Sequence, residues 1–275
     1  LQGILSLVLY AIFWCFSPTF SSWLGGKSAL LLAPLFPQNS RAIRNLKQIY
    51  PNLDNKNQKK ILYEAIENLG RNAGEYPHLG KLQEFISVSG LENIKNNQPI
   101  IFVAAHLANW ELTPFPGILI NRPVMRVYRK LNAPISEWLL RKRSSPLPGE
   151  VVPKGREGAL RMLSTLRSGG IVLLLSDQRL NTGIQIDFMG KPANTLTTPA
   201  VMAKKFNCPI IPLQIIRKKG CSFEIIIHPK IKMPPKNMDD DLSTKKIMND
   251  INSIISQWVH QNPGQWFWHH RRWKV

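Results

Sequence analysis

His106 and Glu111 are the residues whose types and spacing point most directly to chemistry. They close the stretch Ile100-Ile-Phe-Val-Ala-Ala-His-Leu-Ala-Asn-Trp-Glu111. An imidazole can take up and return a proton near neutral pH, and a carboxylate can hold it in one tautomer. Residues five apart on a helix lie roughly 140° apart around its axis, so the two do not share a helix face. They meet only if His106 lies in a strand-to-helix turn and Glu111 on the turn that follows. The other reading is a strand-end histidine bonded to a backbone carbonyl, with Glu111 on a solvated helix face.

The elements that would position this pair can be read from the apolar pattern. Residues 100–105 form a continuous apolar run with β-branched and aromatic members, the pattern expected of a buried parallel strand. Val124–Tyr128 and Ile171–Leu175 read as two more strands, with Arg129 and Asp177 just past their carboxyl ends. Ligands of open α/β sheets bind outside those ends, so a histidine, a cation and a carboxylate are expected on one rim. Residues 209–216 and 223–228 suggest an antiparallel edge pair, and residues 84–99 a short strand with a turn at Gly90. Helical spacing runs through residues 55–72, 134–143, 157–168, 198–206 and 243–260. Residues 31–53 read as a proline-punctuated transition, and 144–158 and 178–196 as loops. The fold class is therefore α/β, a mixed and mostly parallel sheet flanked by helices.

The balance of 36 Lys+Arg against 17 Asp+Glu, a net +19 over 275 residues, implies an anionic partner. Cys15, Cys208 and Cys221 are scattered, without disulfide or zinc spacing. The adjacent His269 and His270 diverge and suggest no metal site. There is no Gly-rich phosphate loop and no G-x-S-x-G elbow, which argues against nucleotide chemistry and a covalent serine. Direct transfer with a histidine base fits better.

Residues 1–26 carry no charge, and Leu1 to Leu24 is long enough for an imperfect membrane span or a deeply inserted anchor. The other possibility is a buried helix pair. No basic leader or clear cleavage site points to a signal peptide. Lys27, Arg41, Arg44 and Lys47 follow, which would place the rest of the chain on the cytoplasmic side. The expected division is an apolar anchor and transition over 1–36 and a catalytic domain over 37–275. The tail, residues 262–274, is dense in aromatics and cations. It could bind nucleic acid, sit at a membrane interface, or close the core with Arg271 and Arg272 on the surface; the apolar start of the chain disfavours nucleic acid.

His106-Leu-Ala-Asn-Trp-Glu111 resembles the H-x-x-x-x-[DE] motif of membrane-associated acyltransferases, in the Asn-Trp-Glu version of the bacterial lipid A late acyltransferases. Arg44-Asn-Leu-Lys-Gln-Ile-Tyr-Pro51, Val88-Ser-Gly-Leu-Glu-Asn93, Tyr128-Arg129, Asp177-Gln178 and Phe188-Met-Gly190 with residues 195–199 are similar to further segments of that family. So is Pro263-Gly-Gln-Trp-Phe-Trp-His-His-Arg-Arg-Trp273 at the carboxyl end. Two departures stand out: Ala108 where the family usually has glycine, and Pro114 and Pro116 close to the motif.

The resemblance implies a glycerolphosphate-acyltransferase-like domain at the cytoplasmic face of the bacterial inner membrane. It implies transfer of a fatty acyl chain from an acyl carrier protein thioester to a hydroxyl of a lipid A precursor, in lipopolysaccharide biosynthesis, with no cofactor and no metal. His106 would be the general base, oriented by Glu111. Arg143 and Asp177 complete the expected catalytic set, Asp177 by pairing one of the arginines. Arg129, Arg141 and Asn109 are the expected substrate-binding residues. Other readings are acylation of another glycolipid or a glycerophosphate, or a basic membrane-surface protein without catalysis. The Phe-Pro-Glu-Gly-Thr stretch of glycerophosphate acyltransferases is absent.

Overall fold

The computed structural model describes residues 2–95 and 98–273. Leu1 of the expected span, Asn96 and Asn97 of the connection before the central strand, and Lys274 of the tail lie outside the described residues. In chain order the elements are α1 (Gln2–Trp14), α2 (Pro18–Leu32), α3 (Asn39–Ile49), α4 (Asn55–Glu75), β1 (Ile86–Ser89), β2 (Ile100–Ala104), α5 (Phe115–Leu119), β3 (Val124–Tyr128), α6 (Pro134–Ser144), β4 (Val151–Pro153), α7 (Arg156–Arg167), β5 (Ile171–Leu175), β6 (Arg179–Phe188), β7 (Lys191–Thr195), α8 (Thr198–Phe206), β8 (Ile210–Arg217), β9 (Phe223–Ile227) and α9 (Asp240–Gln261).

Seven strands form one sheet in the order β1-β9-β8-β2-β5-β3-β4. Only the β8–β9 pair is antiparallel. β2 is central and wholly buried, which is why its sequence is an unbroken apolar run rather than an alternating one. Its side chains split between two cores, Ile101 and Val103 on one face, Ile100, Phe102 and Ala104 on the other. The first core carries apolar residues of α4, α8 and α9 and the tryptophans of the tail.

Five expectations are corrected. The apolar start is two helices rather than one span: Pro18 begins α2, and the Ser17 side chain caps it by accepting from the Phe20 amide. No helix among the described residues is long and apolar enough to cross a membrane. The transition at 31–53 holds a full helix, α3. Residues 179–195 form the hairpin β6–β7 rather than a loop, and β4 emerges from the supposed loop at 144–158. The β8–β9 pair is antiparallel as read, but β1 adds in parallel outside β9.

α2 packs closely on α4 because glycines line the crossing. A Cβ on Gly25 would collide with the Gly70 carbonyl, and one on Gly70 with the Gly25 carbonyl. α1 leaves Ile4, Leu5, Val8, Leu9 and Ile12 exposed, continued by Trp14, Phe16, Phe20 and Trp23. This is a far larger apolar surface than scattered single residues make.

Candidate active site

The carboxyl end of β2 is the focus. β2 and β5 are parallel neighbours with Ala104 opposite Leu175, and the ladder runs one step further, the Ser176 amide donating to the Ala104 carbonyl at 2.8 Å. His106 and Asp177 therefore leave adjacent strands side by side. Asp177 is fully buried and accepts three N–H bonds. The His106 amide donates to Oδ2 at 2.8 Å, the His106 ring meets Oδ1 through Nδ1 at 2.7 Å, and the Trp266 indole donates to Oδ2 at 2.8 Å.

Burial alone would raise the carboxyl pKa of Asp177. The positive charge His106 can carry, with the bonds from its ring and amide, outweighs that and holds it well below the usual carboxylate range. An ionised carboxylate only accepts, so the ring proton of neutral His106 sits on Nδ1. Nε2 is then the acceptor atom of the ring, and the Gln178 side-chain amide donates to it at 3.0 Å, a bond that an acceptor hydroxyl would replace.

The tail clamps this turn from the other side. Leu107 and Trp266 form an antiparallel bridge, the Ala108 amide donates to the Gln265 carbonyl at 3.0 Å, and the Phe267 amide to the His106 carbonyl at 3.1 Å. Trp110, Phe267 and His270 surround the imidazole, with ring centroids 5.1, 6.3 and 4.8 Å away. Burial, reinforced by the His106 charge, pushes His270 down to about 3, so it stays neutral. Trp266, Trp268 and Trp273 are buried, so the tail closes the core. Arg271 is exposed, but Arg272 is fully buried, bonded to Thr195 and to the Asn194 carbonyl, not on the surface.

Ala108 takes φ +49°, the left-handed region where a Cβ is unfavourable. Its carbonyl accepts from the side chains of Asn68 at 3.1 Å and Asn72 at 2.7 Å. Both belong to a buried network around the Glu75–Arg217 ion pair, in which Arg217 donates to Asn68, Asn72 and both oxygens of Glu75. Ser22 adds a bond to Glu75 at 2.6 Å. The sequence reading missed this layer. Asn68, Asn72 and Glu75 lie at i, i+4 and i+7 of α4, a spacing that marks one polar face of a helix and could have found them.

The other expected site residues fall as follows. Glu111 does not orient His106: its Oε1 accepts from Arg143 at 2.6 Å, and the carboxylate on the imidazole is Asp177. Asp177 accordingly pairs the histidine rather than an arginine. Arg143 also lies over the Tyr76 ring at 4.0 Å. Burial would lower its pKa, but Glu111 and Tyr76 turn the shift upward, so it stays charged. Arg143 lines a cleft of about 460 Å³ between α1 and α6 with Leu9, Tyr10, Phe13, Tyr76 and Leu139. Asn109 is fully buried, its amide donating to Glu75 at 2.8 Å and its oxygen accepting from the Glu111 amide at 3.2 Å, so it braces the turn from within. Arg129 is exposed at the end of β3, one strand beyond Asp177. Arg141 is exposed and bonded to Glu137 and the Tyr128 hydroxyl. Among the described residues, one group has metal-ligand chemistry: His106, Asp177 and His270, with ligand atoms within 4.8 Å of one another. The three N–H donors already on Asp177 suit that group to proton transfer.

A mixed, mostly parallel sheet with a buried carboxylate–imidazole pair at its carboxyl edge defines an α/β protein equipped for base chemistry. Residues 3–275 match the family described as bacterial lipid A biosynthesis acyltransferase, and the chain belongs to that family. It is an acyltransferase. No curated protein matches its sequence. Among solved structures it is similar to the 1-acyl-sn-glycerophosphate acyltransferase PlsC from Thermotoga maritima, at 17% identity and a TM-score of 0.41, over 97% of this chain and 100% of that one.

Proposed function

We propose that this acyltransferase moves a fatty acyl chain from an acyl carrier protein thioester to a hydroxyl of a lipid A precursor. The observation that carries the mechanism is the Asp177–His106 bond, which leaves Nε2 as a base at the rim of the sheet. Nε2 takes the hydroxyl proton as the acceptor oxygen attacks the thioester carbonyl. The C–O bond forms, the C–S bond breaks, and the leaving thiolate recovers the proton from the imidazolium. Asp177 stabilises that imidazolium. Arg143, held by Glu111, faces the negative charge that develops on the carbonyl oxygen or on the acceptor. Arg129, exposed at the end of β3, and Arg141, exposed on α6, would attract an anionic head group.

The apolar surface of α1 and α2 supports a site on the cytoplasmic face of the inner membrane, with residues 1–36 lying in the interface rather than crossing it. The net charge of +19 suits both an acidic carrier protein and a phosphorylated lipid. The test is an acyl-transfer assay with a carrier-protein thioester and a disaccharide lipid acceptor, read by mass spectrometry of the product. Transfer by the wild-type chain and its loss in His106→Ala, with acceptor binding kept, is the expected result. Acylation of a glycerophosphate in preference to the disaccharide lipid would overturn the acceptor assignment.

A further inference from the structure

Arg126 is buried on β3, yet its Nε and Nη2 have no hydrogen-bond partner among the described residues. No ion pair to a described residue reaches it either. Of the other buried arginines, Arg217 is ion-paired to Glu75, and Arg272, though its Nε is unpartnered, donates through Nη1 and Nη2 to the Asn194 carbonyl and Thr195. Strand alternation puts Arg126 on the same sheet face as Val124, whose side chain lies in the core below the catalytic turn. There it feels the charges of both Glu111 and Arg143, and burial lowers it only to about 10, so it remains a cation at neutral pH. Arg143 is incompletely satisfied as well, with its Nε buried and unpartnered. Two guanidinium groups against one carboxylate leave one uncompensated positive charge. Native folds do not keep such a charge without a use, because burying it unpaired is costly.

The geometry points to an oxyanion subsite formed by Arg126 and Arg143 beside Glu111, filled by a phosphoryl group of the substrate. Three unpartnered nitrogens, two on Arg126 and one on Arg143, match a group with several acceptor oxygens, and guanidinium forks suit phosphate geometry. The cleft that Arg143 lines is otherwise largely apolar, which fits a phosphoryl joined to hydrocarbon. The inference rests on the proposed function only for which substrate brings the phosphoryl, the lipid acceptor or a phosphodiester of the thioester donor.

The experiment compares the wild-type chain with Arg126→Leu and Arg126→Lys. Equilibrium binding without donor is measured for inorganic phosphate and for the disaccharide lipid with and without its phosphates in detergent micelles. Thermal melting is followed with and without phosphate. Arg126→Leu is expected to lose at least tenfold in affinity for the phosphorylated lipid, bind the dephosphorylated lipid as wild type does, and melt no lower than wild type without ligand. Phosphate should raise the melting temperature of the wild type and of Arg126→Lys, but not of Arg126→Leu. If lipid affinity holds and the KM for the thioester donor rises instead, the donor supplies the phosphoryl and the subsite stands. Equal loss for both lipids with a lower melting temperature would make Arg126 a structural residue and overturn the subsite, as would unchanged affinity for every phosphoryl probe. Absence of acyl transfer by the wild-type chain overturns the proposed function alone, since phosphate binding and its melting shift are read without turnover.

Discussion

Asp177→Asn exchanges one oxygen for an amide nitrogen, and the bonds around that carboxylate fix the outcome. Two donors, the His106 amide and the Trp266 indole, meet Oδ2, while His106 Nδ1 meets Oδ1. An asparagine keeps the first two by placing its carbonyl at the Oδ2 position. Its NH₂ then faces His106 Nδ1, which must give up its proton and accept. The proton moves to Nε2, and the base is lost without any change of packing. General-base catalysis is worth 10²–10⁴-fold, and the same exchange in serine-protease triads costs about 10⁴-fold, or about 5 kcal/mol of barrier. We expect kcat to fall about 10³–10⁴-fold, with the acceptor KM nearly unchanged. The stability of the variant adds a second readout. The carboxyl of Asp177 is depressed on folding, so its contribution is fully present above the ordinary carboxylate value of about 3.9 and fades as pH falls below it. Asp177→Asn should flatten that acid limb. Acyl transfer under saturating donor, with chemical denaturation between pH 2 and 7, about the span of that limb, measures both. A kcat within tenfold of wild type, with Glu111→Gln the more damaging variant, would refute the assignment of Asp177 as the orienting group.

Breaking the Glu75–Arg217 pair by Arg217→Met strands a buried carboxylate and should cost about 3–5 kcal/mol in denaturant unfolding. Ala108→Gly should stabilise by a few tenths to about 1 kcal/mol. Relief of about 1–2 kcal/mol of left-handed strain exceeds the added chain entropy of about 0.4–1 kcal/mol. A double-mutant cycle on Glu111→Gln and Arg143→Gln should give a coupling of about 1–3 kcal/mol in stability, because the pair is direct and mostly buried. The triple variant Leu5→Glu, Val8→Glu, Ile12→Glu should bind anionic vesicles at least tenfold more weakly by co-sedimentation, with an unchanged melting temperature, because those side chains are exposed along α1.

The strands that carry the site were legible because burial on both faces writes itself as a continuous apolar run, as in β2 and β5. The hairpin β6–β7 was not, because most of β6 is solvent-accessible on both faces and its residues show no period. α3 hid between Pro37 and Pro51, and its arginines and lysine read as a linker rather than as the exposed face of a helix. The partner of His106 was misread for a different reason. Glu111 is the nearest carboxylate along the chain, whereas Asp177 is brought up by the parallel register of β2 with β5, a pairing across 71 residues that local spacing does not encode. The departure at Ala108, by contrast, was visible in the sequence, and its positive φ is the physical content of the glycine that family members place there.

Sorting the charges around the catalytic turn explains why two carboxylates are needed where base chemistry uses one. Asp177 faces the imidazole and balances the positive charge that forms on it. Glu111 faces Arg143 and, less directly, Arg126. Asp177 is bonded to the imidazole and Glu111 to Arg143, which leaves Arg126 the guanidinium without a carboxylate of its own. In the proposed mechanism proton abstraction would create a cation beside Asp177 and an oxyanion that a guanidinium can stabilise. The two carboxylates hold different partners: Asp177 bonds the imidazole and Glu111 bonds Arg143. Had Glu111 been bonded to His106, Arg143 would lose the carboxylate that anchors it. In the proposed mechanism the Glu111–Arg143 bond would hold a cation in place before the oxyanion forms, which is what electrostatic preorganisation requires.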